Sequence, residues 1–194
     1  ADESNGQVGI WMELIQGDTL KEIVARNGTV PPGDCAAITR DVCRALSAVH
    51  AEGILHRDVK AQNVMRDRTG RVLLMDFGAG VLADIVDSPL AGTPLYLAPE
   101  VLAGAPQTIQ SDVFSAGVLA FHLATGSFPY PAESVSELRA AHRAGRARSL
   151  RDVRPDLSSR LAGAIEQALA PDPAARYGSA AAFAEALDAI LQPR

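Results

Sequence analysis

The sequence has very little lysine. Its 194 residues include sixteen arginines but only two lysines, Lys21 and Lys60. With the abundance of alanine, this bias indicates a GC-rich genome, such as that of many bacteria. Any chemistry that needs a lysine ammonium group is limited to these two positions.

Cysteine is also scarce. Cys35 and Cys43 are eight residues apart in one predicted helix, which separates their Cα atoms by roughly 12 Å at the helical rise. That distance is too long for a disulfide, so we expect two reduced core thiols. A reducing, cytoplasmic environment fits this expectation.

Long apolar runs and an excess of positive charge are both missing. No run reaches the roughly 18 to 20 apolar residues that cross a bilayer, so no membrane segment is predicted in this chain. An anchor beyond residue 194 stays open. The net charge of −5 argues against a nucleic-acid partner, which usually meets a basic patch.

The pattern of apolar residues predicts a mainly α-helical fold, from one domain or one lobe of a larger domain. Asn5-Gly6 is a hairpin signal before a predicted strand at 8–14. A small hairpin is predicted from 63–65 and 71–75, and mostly loop from 76 to 110. Helices are predicted at 20–27, about 34–52, 111–125, 133–144, 158–170 and 179–191.

Other polar residues receive ordinary structural roles. We expect His50 and His142 to lie on solvated helix faces and His122 to be a satisfied core residue. The arginine-rich stretch 143–154 is predicted to be a solvated loop. No histidine has ligand spacing with cysteines or carboxylates, so the sequence does not predict zinc.

Four motifs carry the chemistry, and they occur in one order. They are HRDVKAQN at 56–63, DFG at 76–78, GTPLYLAPE at 92–100, and Asp112 with Gly117 at the start of an apolar helix. In this order and spacing the chain resembles the protein kinase family, from about residue 8 to its end. The resemblance implies an α+β parent fold, of which this chain is the helical C-terminal lobe.

The resemblance implies a role for each residue of the catalytic motifs. Asp58 would accept the proton of the substrate hydroxyl, and Lys60 would place a cation beside the γ-phosphate of ATP. Asn63 and Asp76 would be oxygen ligands of Mg²⁺, which suits such ligands. Thr93 would bond to Asp58 and Lys60. Lys60 and the segment at 92–96 resemble the serine/threonine class, so the expected substrate is a protein hydroxyl.

The segment 12–17 resembles the family's strand and hinge beside adenine. Met12 would be the gatekeeper, the Glu13 carbonyl and the Ile15 amide would meet adenine, and Met65 would form its floor. Asp18 or Thr19 would lie near the ribose.

The remaining matches imply structural and regulatory roles. Glu100 would pair with Arg176, and Asp112 would hold the backbone of the catalytic loop. Phe114 stands where the family commonly has Trp. Arg57, before the catalytic Asp, could pair with a phosphate on Ser88, although an unmodified Ser88 is an equal alternative.

Several kinase parts are absent from these residues. A glycine-rich loop and a strand lysine would have to lie in residues 1–17, which contain neither. We therefore expect 1–17 to be a remnant of the N-terminal lobe with the hinge, and 18–194 to be the C-terminal lobe of a longer kinase. Little ATP turnover is expected from the 194 residues alone.

Two other functions stay open. A pseudokinase-like binding module, using the helical face around 130–155, is favoured by the missing lobe and disfavoured by the retained Asp58, Lys60, Asn63 and Asp76. A small-molecule phosphotransferase of kinase-like fold would usually lack the segments at 92–93 and 98–100.

Overall fold

A computed structural model describes residues 15–77 and 94–192 in full, and only the backbone of residues 2–4, 7–9 and 93. The described chain is mainly helical, as the sequence predicts, and it has two small antiparallel sheets. The principal α-helices are α1 Leu20–Asn27, α2 Pro32–Ala51, α3 Pro99–Leu102, α4 Ile109–Thr125, α5 Val135–Arg143, α6 Leu150–Val153, α7 Ser159–Ala168 and α8 Ala180–Leu191.

The strands form two small sheets. β1 Asp2–Ser4 pairs antiparallel with β2 Gln7–Gly9, on either side of the predicted hairpin signal. β4 Val64–Asp67 pairs with β5 Val72–Leu74, which confirms the predicted second hairpin. β3 Gly17–Thr19, which was not predicted, pairs antiparallel with β4.

Helix α1 begins and ends where its capping residues predict. The Thr19 side chain accepts from the Glu22 N–H, and the Glu22 carboxylate accepts from the Thr19 N–H, which is a capping box. Gly28 ends the helix with φ of 77°, a value that favours glycine. Because α1 directly follows β3, the cap also fixes where the chain leaves the sheet.

Helix α4 is the centre of the core, as its apolar sequence predicts. Thirteen of its seventeen residues are buried, including Phe114 and Phe121. Its predicted start at residue 111 was wrong: Thr108 is the N-cap, and its side chain accepts from the Ser111 N–H. The helix therefore begins at Ile109, which puts Asp112 in its first turn.

The stretch 143–154 is not only a solvated loop, as was predicted. Its last part forms α6, whose Leu150 is fully buried. The Arg154 guanidinium donates to the Ala124 carbonyl at the end of α4. The Leu150 side chain and the Arg154 guanidinium therefore anchor this arginine-rich stretch to the core.

Both cysteines are free and buried, as expected. Burial raises the pKa of Cys35 to about 12, so this thiol stays protonated. Among the described residues, no helix is long and apolar enough to cross a bilayer.

Candidate active site

Asp112 holds the backbone of the predicted catalytic loop, which is the segment 56–63. Its Oδ2 atom accepts from the His56 N–H at 2.9 Å, and its Oδ1 atom accepts from the Arg57 N–H at 3.0 Å. Arg57 has φ of 69°, a left-handed conformation that is unfavourable for a residue with a side chain. The buried carboxylate thus supports a strained turn immediately before Asp58, as the resemblance implied.

His56 connects this loop to the Asp-Phe-Gly segment. Its ring is fully buried, and Nδ1 accepts from the Asp58 N–H at 3.2 Å. Nε2 must then carry the proton, which it donates to the Met75 carbonyl at 2.9 Å. The ring also lies 4.9 Å from that of Phe77, so one imidazole positions the residues on both sides of Asp76.

The structure brings Asp58, Lys60 and Asn63 together. The Lys60 Nζ atom lies 2.6 Å from Asp58 Oδ2, and the Asn63 amide nitrogen donates to the same oxygen at 2.9 Å. The Asn63 nitrogen also donates to the Asp58 carbonyl at 3.0 Å. These contacts fix the carboxylate in one orientation.

The second oxygen of Asp58 is different. Oδ1 is buried and has no hydrogen-bond partner among the described residues. A buried acceptor without a partner costs about 1 to 3 kcal/mol. This oxygen is therefore oriented and available to accept a proton or hydrogen bond from a bound molecule.

Asn63 and Asp76 have the right chemistry for a magnesium site. The Asn63 nitrogen donates to two acceptor oxygens of Asp58, so the amide oxygen faces away from Asp58. The Met75 N–H donates to the Asn63 carbonyl at 2.8 Å. Because Asp76 directly follows Met75, this bond keeps Asp76 near Asn63. Asp76 is exposed, with a left-handed φ of 61°. One neutral and one charged oxygen donor fit Mg²⁺, with phosphate and water completing its shell.

The described residues contain no group of three or more His, Cys, Asp or Glu side chains that could hold a metal on their own. Mg²⁺ commonly keeps several waters and is bound through one or two carboxylates together with phosphate oxygens. This is the behaviour expected of magnesium in phosphoryl-transfer sites.

The other predicted nucleotide contacts are described only in part. Met65 lies in β4, two residues after Asn63, and is opposite Thr19 and Leu73 in the sheet. Ile15 is half-buried just before β3, and the next residue, Gln16, accepts from the Arg68 N–H at 3.2 Å. Met12, Glu13, Ser88 and the Thr93 side chain lie outside the described residues.

The predicted ion pair between Glu100 and Arg176 is present. Two guanidinium nitrogens donate to the two carboxylate oxygens, both at 2.7 Å. The Arg176 side chain is fully buried, and its charge lies 4.8 Å from the centre of the Phe114 ring. This pair connects α3, which follows the 92–98 segment, to the chain before α8.

Two histidines were wrongly predicted to be solvated. The His50 side chain is only 6% exposed, and its Nε2–H donates to Asp112 Oδ2 at 2.8 Å. His142 is 8% exposed and contacts the Tyr130 ring at 3.8 Å between centroids. His122, predicted to be a core residue, is partly buried and lies 3.3 Å from the Ser127 carbonyl.

His50 is the site residue that sequence reasoning missed. It orients Asp112, which in turn orients the catalytic loop. Its position near the end of α2, six residues before His56, was the available signal. Helix periodicity did not reveal the contact, because Asp112 approaches from a distant helix.

A family comparison agrees with this geometry. The family model described as "Protein kinase domain" matches residues 2–187. The chain belongs to the protein kinase family. A probable serine/threonine-protein kinase of Corynebacterium efficiens is 35% identical over 191 residues, which cover 93% of this chain and 29% of that protein. The serine/threonine-protein kinase PknL of Mycobacterium tuberculosis is 36% identical over 188 residues, which cover 93% of this chain and 46% of that protein.

Solved kinase structures have the same fold. The PknI kinase domain of Mycobacterium tuberculosis superposes with a TM-score of 0.69 at 32% identity, over 92% of this chain and 64% of that one. Rad53 residues 1–466 in complex with AMP-PNP gives a TM-score of 0.74 at 29% identity, over 89% and 44%. The chain spans less than half the length of these curated relatives.

Proposed function

We propose that this kinase-family chain provides the catalytic loop of a serine/threonine protein kinase, which transfers the γ-phosphoryl group of ATP to a protein hydroxyl. The observation that carries the proposal is the state of Asp58. One of its carboxylate oxygens is bonded to Lys60 and Asn63, while the other is buried without a partner among the described residues.

In the proposed mechanism Asp58 Oδ1 accepts the hydrogen bond of the substrate hydroxyl and then its proton. The Asn63 amide and the Lys60 ammonium hold Oδ2, so that Oδ1 keeps a single direction. A general base in this position contributes about 10² to 10⁴ in rate. Orientation matters as much as basicity, because the hydroxyl must face the phosphorus in line with the leaving group.

Charge neutralisation is assigned to three residues. The Lys60 Nζ atom supplies a cation beside the acceptor, within 2.6 Å of Asp58. The Asn63 amide oxygen and the Asp76 carboxylate would hold Mg²⁺, whose chemical contribution is to neutralise the phosphate oxygens. The left-handed backbone of Asp76 and the hydrogen bond from Met75 to Asn63 support this pairing.

The serine/threonine class rests on residues of the catalytic loop and the segment at 92–96. Lys60 stands two residues after Asp58, and Thr93 is proposed to bond to both of them in the active enzyme. The names of the relatives support the same substrate class. A small-molecule phosphotransferase stays the less favoured assignment.

The nucleotide site and domain limits are part of the same proposal. Residues 1–17 would be the remnant of the N-terminal lobe and 18–194 the C-terminal lobe. The Glu13 carbonyl, the Ile15 amide and Met65 would surround adenine. Because the 194 residues contain no glycine-rich loop and no strand lysine, we expect little turnover from them alone.

Regulation by phosphorylation of Ser88 is proposed as a consequence of Arg57. This arginine is exposed beside the catalytic base, where a phosphate could pair with its guanidinium. Peptide mapping by mass spectrometry after incubation with Mg-ATP checks this, and an unmodified Ser88 in active enzyme would refute it.

The proposed function is tested by radiolabel transfer from ATP to a protein substrate, with the longest product that the gene encodes. Asp58→Asn keeps the shape of the side chain and removes the base, so kcat should fall at least about 100-fold. Asp76→Asn should raise the magnesium concentration needed for half-maximal rate. Glu185→Gln, on the exposed face of α8, is the control and should change neither quantity.

Two results would contradict the proposal. If Asp58→Asn retains full activity, the carboxylate is not the base. If the longest gene product folds and shows neither transfer nor Mg-ATP binding by calorimetry, the pseudokinase-like binding module becomes the better account.

A further inference from the structure

One part of the surface has a charge opposite to that of the whole chain. Residues 139–154 contain six arginines and one aspartate, a formal charge of +5. The chain as a whole has −5, so the other residues together carry −10. Positive charge is therefore concentrated in α5, α6 and the segment between them.

The side chains of this stretch are exposed. We define the arginine face as Arg139, Arg143, Arg146, Arg148 and Arg151, which are all exposed to solvent. Arg139 donates from Nε to the Leu102 carbonyl at 2.9 Å. The other four make no side-chain hydrogen bond or ion pair with any residue in the described part of the chain.

Acidic side chains on these elements do not neutralise the face. The Glu137 carboxylate accepts from the Glu133 N–H at 2.9 Å, at the N-terminal end of α5. Asp152 is exposed on α6, and it is the single acid between residues 139 and 154. The face therefore has an excess of guanidinium groups, each of which can donate two parallel hydrogen bonds to one carboxylate.

A cavity opens beside the arginine face, between α3 and α5. Its volume is about 180 Å³. Most of its wall is apolar, and it is large enough for one aliphatic side chain. The residues that line it are Pro99, Leu102, Ala103, Arg139, His142 and Arg143.

His142 adds an unusual feature to this wall. It is 8% exposed, and neither of its ring nitrogens has a hydrogen-bond partner among the described residues. Burial, then the charge of Arg176, lowers its pKa to about 4, so the ring is neutral at physiological pH. A neutral imidazole offers one donor and one acceptor, and both are unused here.

We infer that the arginine face and its cavity form a docking site for an acidic segment of the protein substrate, with one apolar side chain of that segment inserted between α3 and α5. Charge complementarity favours an acidic partner over a neutral or basic one. The apolar wall gives a peptide an anchor that a purely electrostatic surface would lack.

The site lies on the same part of the chain as the proposed active site. Helix α3 begins directly after the segment at 93–98, where the Tyr96 hydroxyl accepts from the Ala61 N–H at 3.4 Å, inside the catalytic loop. A substrate held at α3 would therefore keep its acceptor hydroxyl at a high effective concentration near Asp58. This step rests on the proposed kinase function, but the binding itself does not.

Fluorescence anisotropy of the purified chain tests the docking site directly. The probe is a short fluorescein-labelled peptide with a central leucine between glutamates and with no serine, threonine or tyrosine. Replacing its leucine by serine tests the cavity, and replacing its glutamates by glutamine tests the charge. Single-stranded oligothymidylate and phosphatidylserine vesicles test the other polyanionic partners.

The matched variants separate the arginine face from charge in general. Arg143→Gln/Arg146→Gln should weaken peptide binding about tenfold, because two exposed ion pairs with the peptide would be lost. Arg68→Gln/Arg160→Gln removes the same charge elsewhere on the surface and should change affinity less than about twofold. Ala103→Leu, which extends a side chain into the cavity, should abolish the preference for leucine over serine.

Three outcomes would overturn the inference. They are equal affinity for the leucine and serine peptides, equal weakening by the two arginine double variants, and tighter binding of oligothymidylate or vesicles than of the peptide. Asp58→Asn should bind the peptide like the unchanged chain, because Asp58 belongs to the catalytic loop. Absence of phosphoryl transfer by the unchanged gene product, with peptide binding retained, would thus count against the proposed function and not against the docking site.

Discussion

At the scale of single residues, Asp112 has the largest structural role in the candidate active site. Its carboxylate accepts two backbone N–H groups of the catalytic loop and the His50 Nε2–H, at 2.8 to 3.0 Å. Three donors around one buried carboxylate fix its position. The conformation of the predicted catalytic loop is therefore fixed by Asp112, a residue of α4 that has no proposed role in the reaction itself.

We expect Asp112→Asn to destabilise the protein by about 2 to 3 kcal/mol, because an amide nitrogen would face N–H donors and leave one of them unpaired. Urea unfolding followed by circular dichroism measures this loss. Asp152→Asn on the surface of α6 is the control, with an expected change within about 0.5 kcal/mol. Equal effects of the two substitutions would contradict the role given to Asp112.

His142 gives a pH-dependent prediction. Its folded pKa, about 4, is below its ordinary value of 6.5, so the unfolded chain binds the proton first as pH falls. The free energy of unfolding should therefore decrease between about pH 6.5 and pH 4, by up to about 3 kcal/mol from this residue. His142→Phe, similar in shape, should make the dependence of Tm on pH shallower. An unchanged slope in that variant would refute the prediction.

At the scale of elements, the contact between α4 and α7 depends on a missing side chain. A Cβ atom at Gly117 would lie 2.9 Å from the Ala168 Cβ and 3.3 Å from Leu169 Cδ2. A Cβ at Gly163, inside α7, would meet nothing within 4 Å. The two helical glycines therefore serve different purposes, although both lower helix propensity equally.

Substitution of these glycines by alanine should have opposite effects. Gly117→Ala should destabilise the protein by about 1 to 3 kcal/mol, because the backbones of α4 and α7 would have to separate. Gly163→Ala should stabilise it by about 0.5 to 1 kcal/mol through higher helix propensity. Thermal unfolding of both variants measures this, and a stabilising Gly117→Ala would show that the two helices are not in close contact.

The sequence predicted most of the helices and the second hairpin, because their signals are local. The predicted range 20–27 matches α1, and the apolar composition of α4 placed it in the core. β3 was missed because three residues that include a glycine carry no alternating pattern. The start of α4 was misplaced because two plausible caps, Thr108 and Ser111, are three residues apart.

For the candidate site, the motifs predicted which residues meet but not how they are held. The grouping of Asp58, Lys60 and Asn63 followed from the family resemblance. The burial of His50 and His142 did not follow, because each packs against an element distant in sequence. The family pattern therefore predicted that Asp58, Lys60 and Asn63 lie together, while the neighbours that orient them become visible only in the folded chain.

At the scale of the whole molecule, Glu100 and Arg176 join regions 76 residues apart. The Arg176 guanidinium also donates to the carbonyls of Gln110, Ala170 and Pro171. A buried charge with this many partners is strongly destabilising if only one of the pair is removed. The pair connects the segment beside the active site to the base of the helical core.

We expect Glu100→Gln to lower the free energy of unfolding by about 3 kcal/mol, because the buried guanidinium loses its counter-charge. Urea unfolding measures this loss. Glu185→Gln, on the exposed face of α8, is the matched control and should be neutral. A Glu100→Gln variant as stable as this control would contradict the view that the pair holds the two regions together.

The account depends most on the convergence of Asn63 and Asp76 around a metal-bound triphosphate. The most direct measurement is a crystal structure of the protein with Mn²⁺ and a non-hydrolysable ATP analogue, with the anomalous signal of manganese located. We predict a peak within about 2.2 Å of both the Asn63 amide oxygen and the Asp76 carboxylate, with Asp58 facing the terminal phosphate. A bound nucleotide whose manganese touches neither side chain would contradict the account.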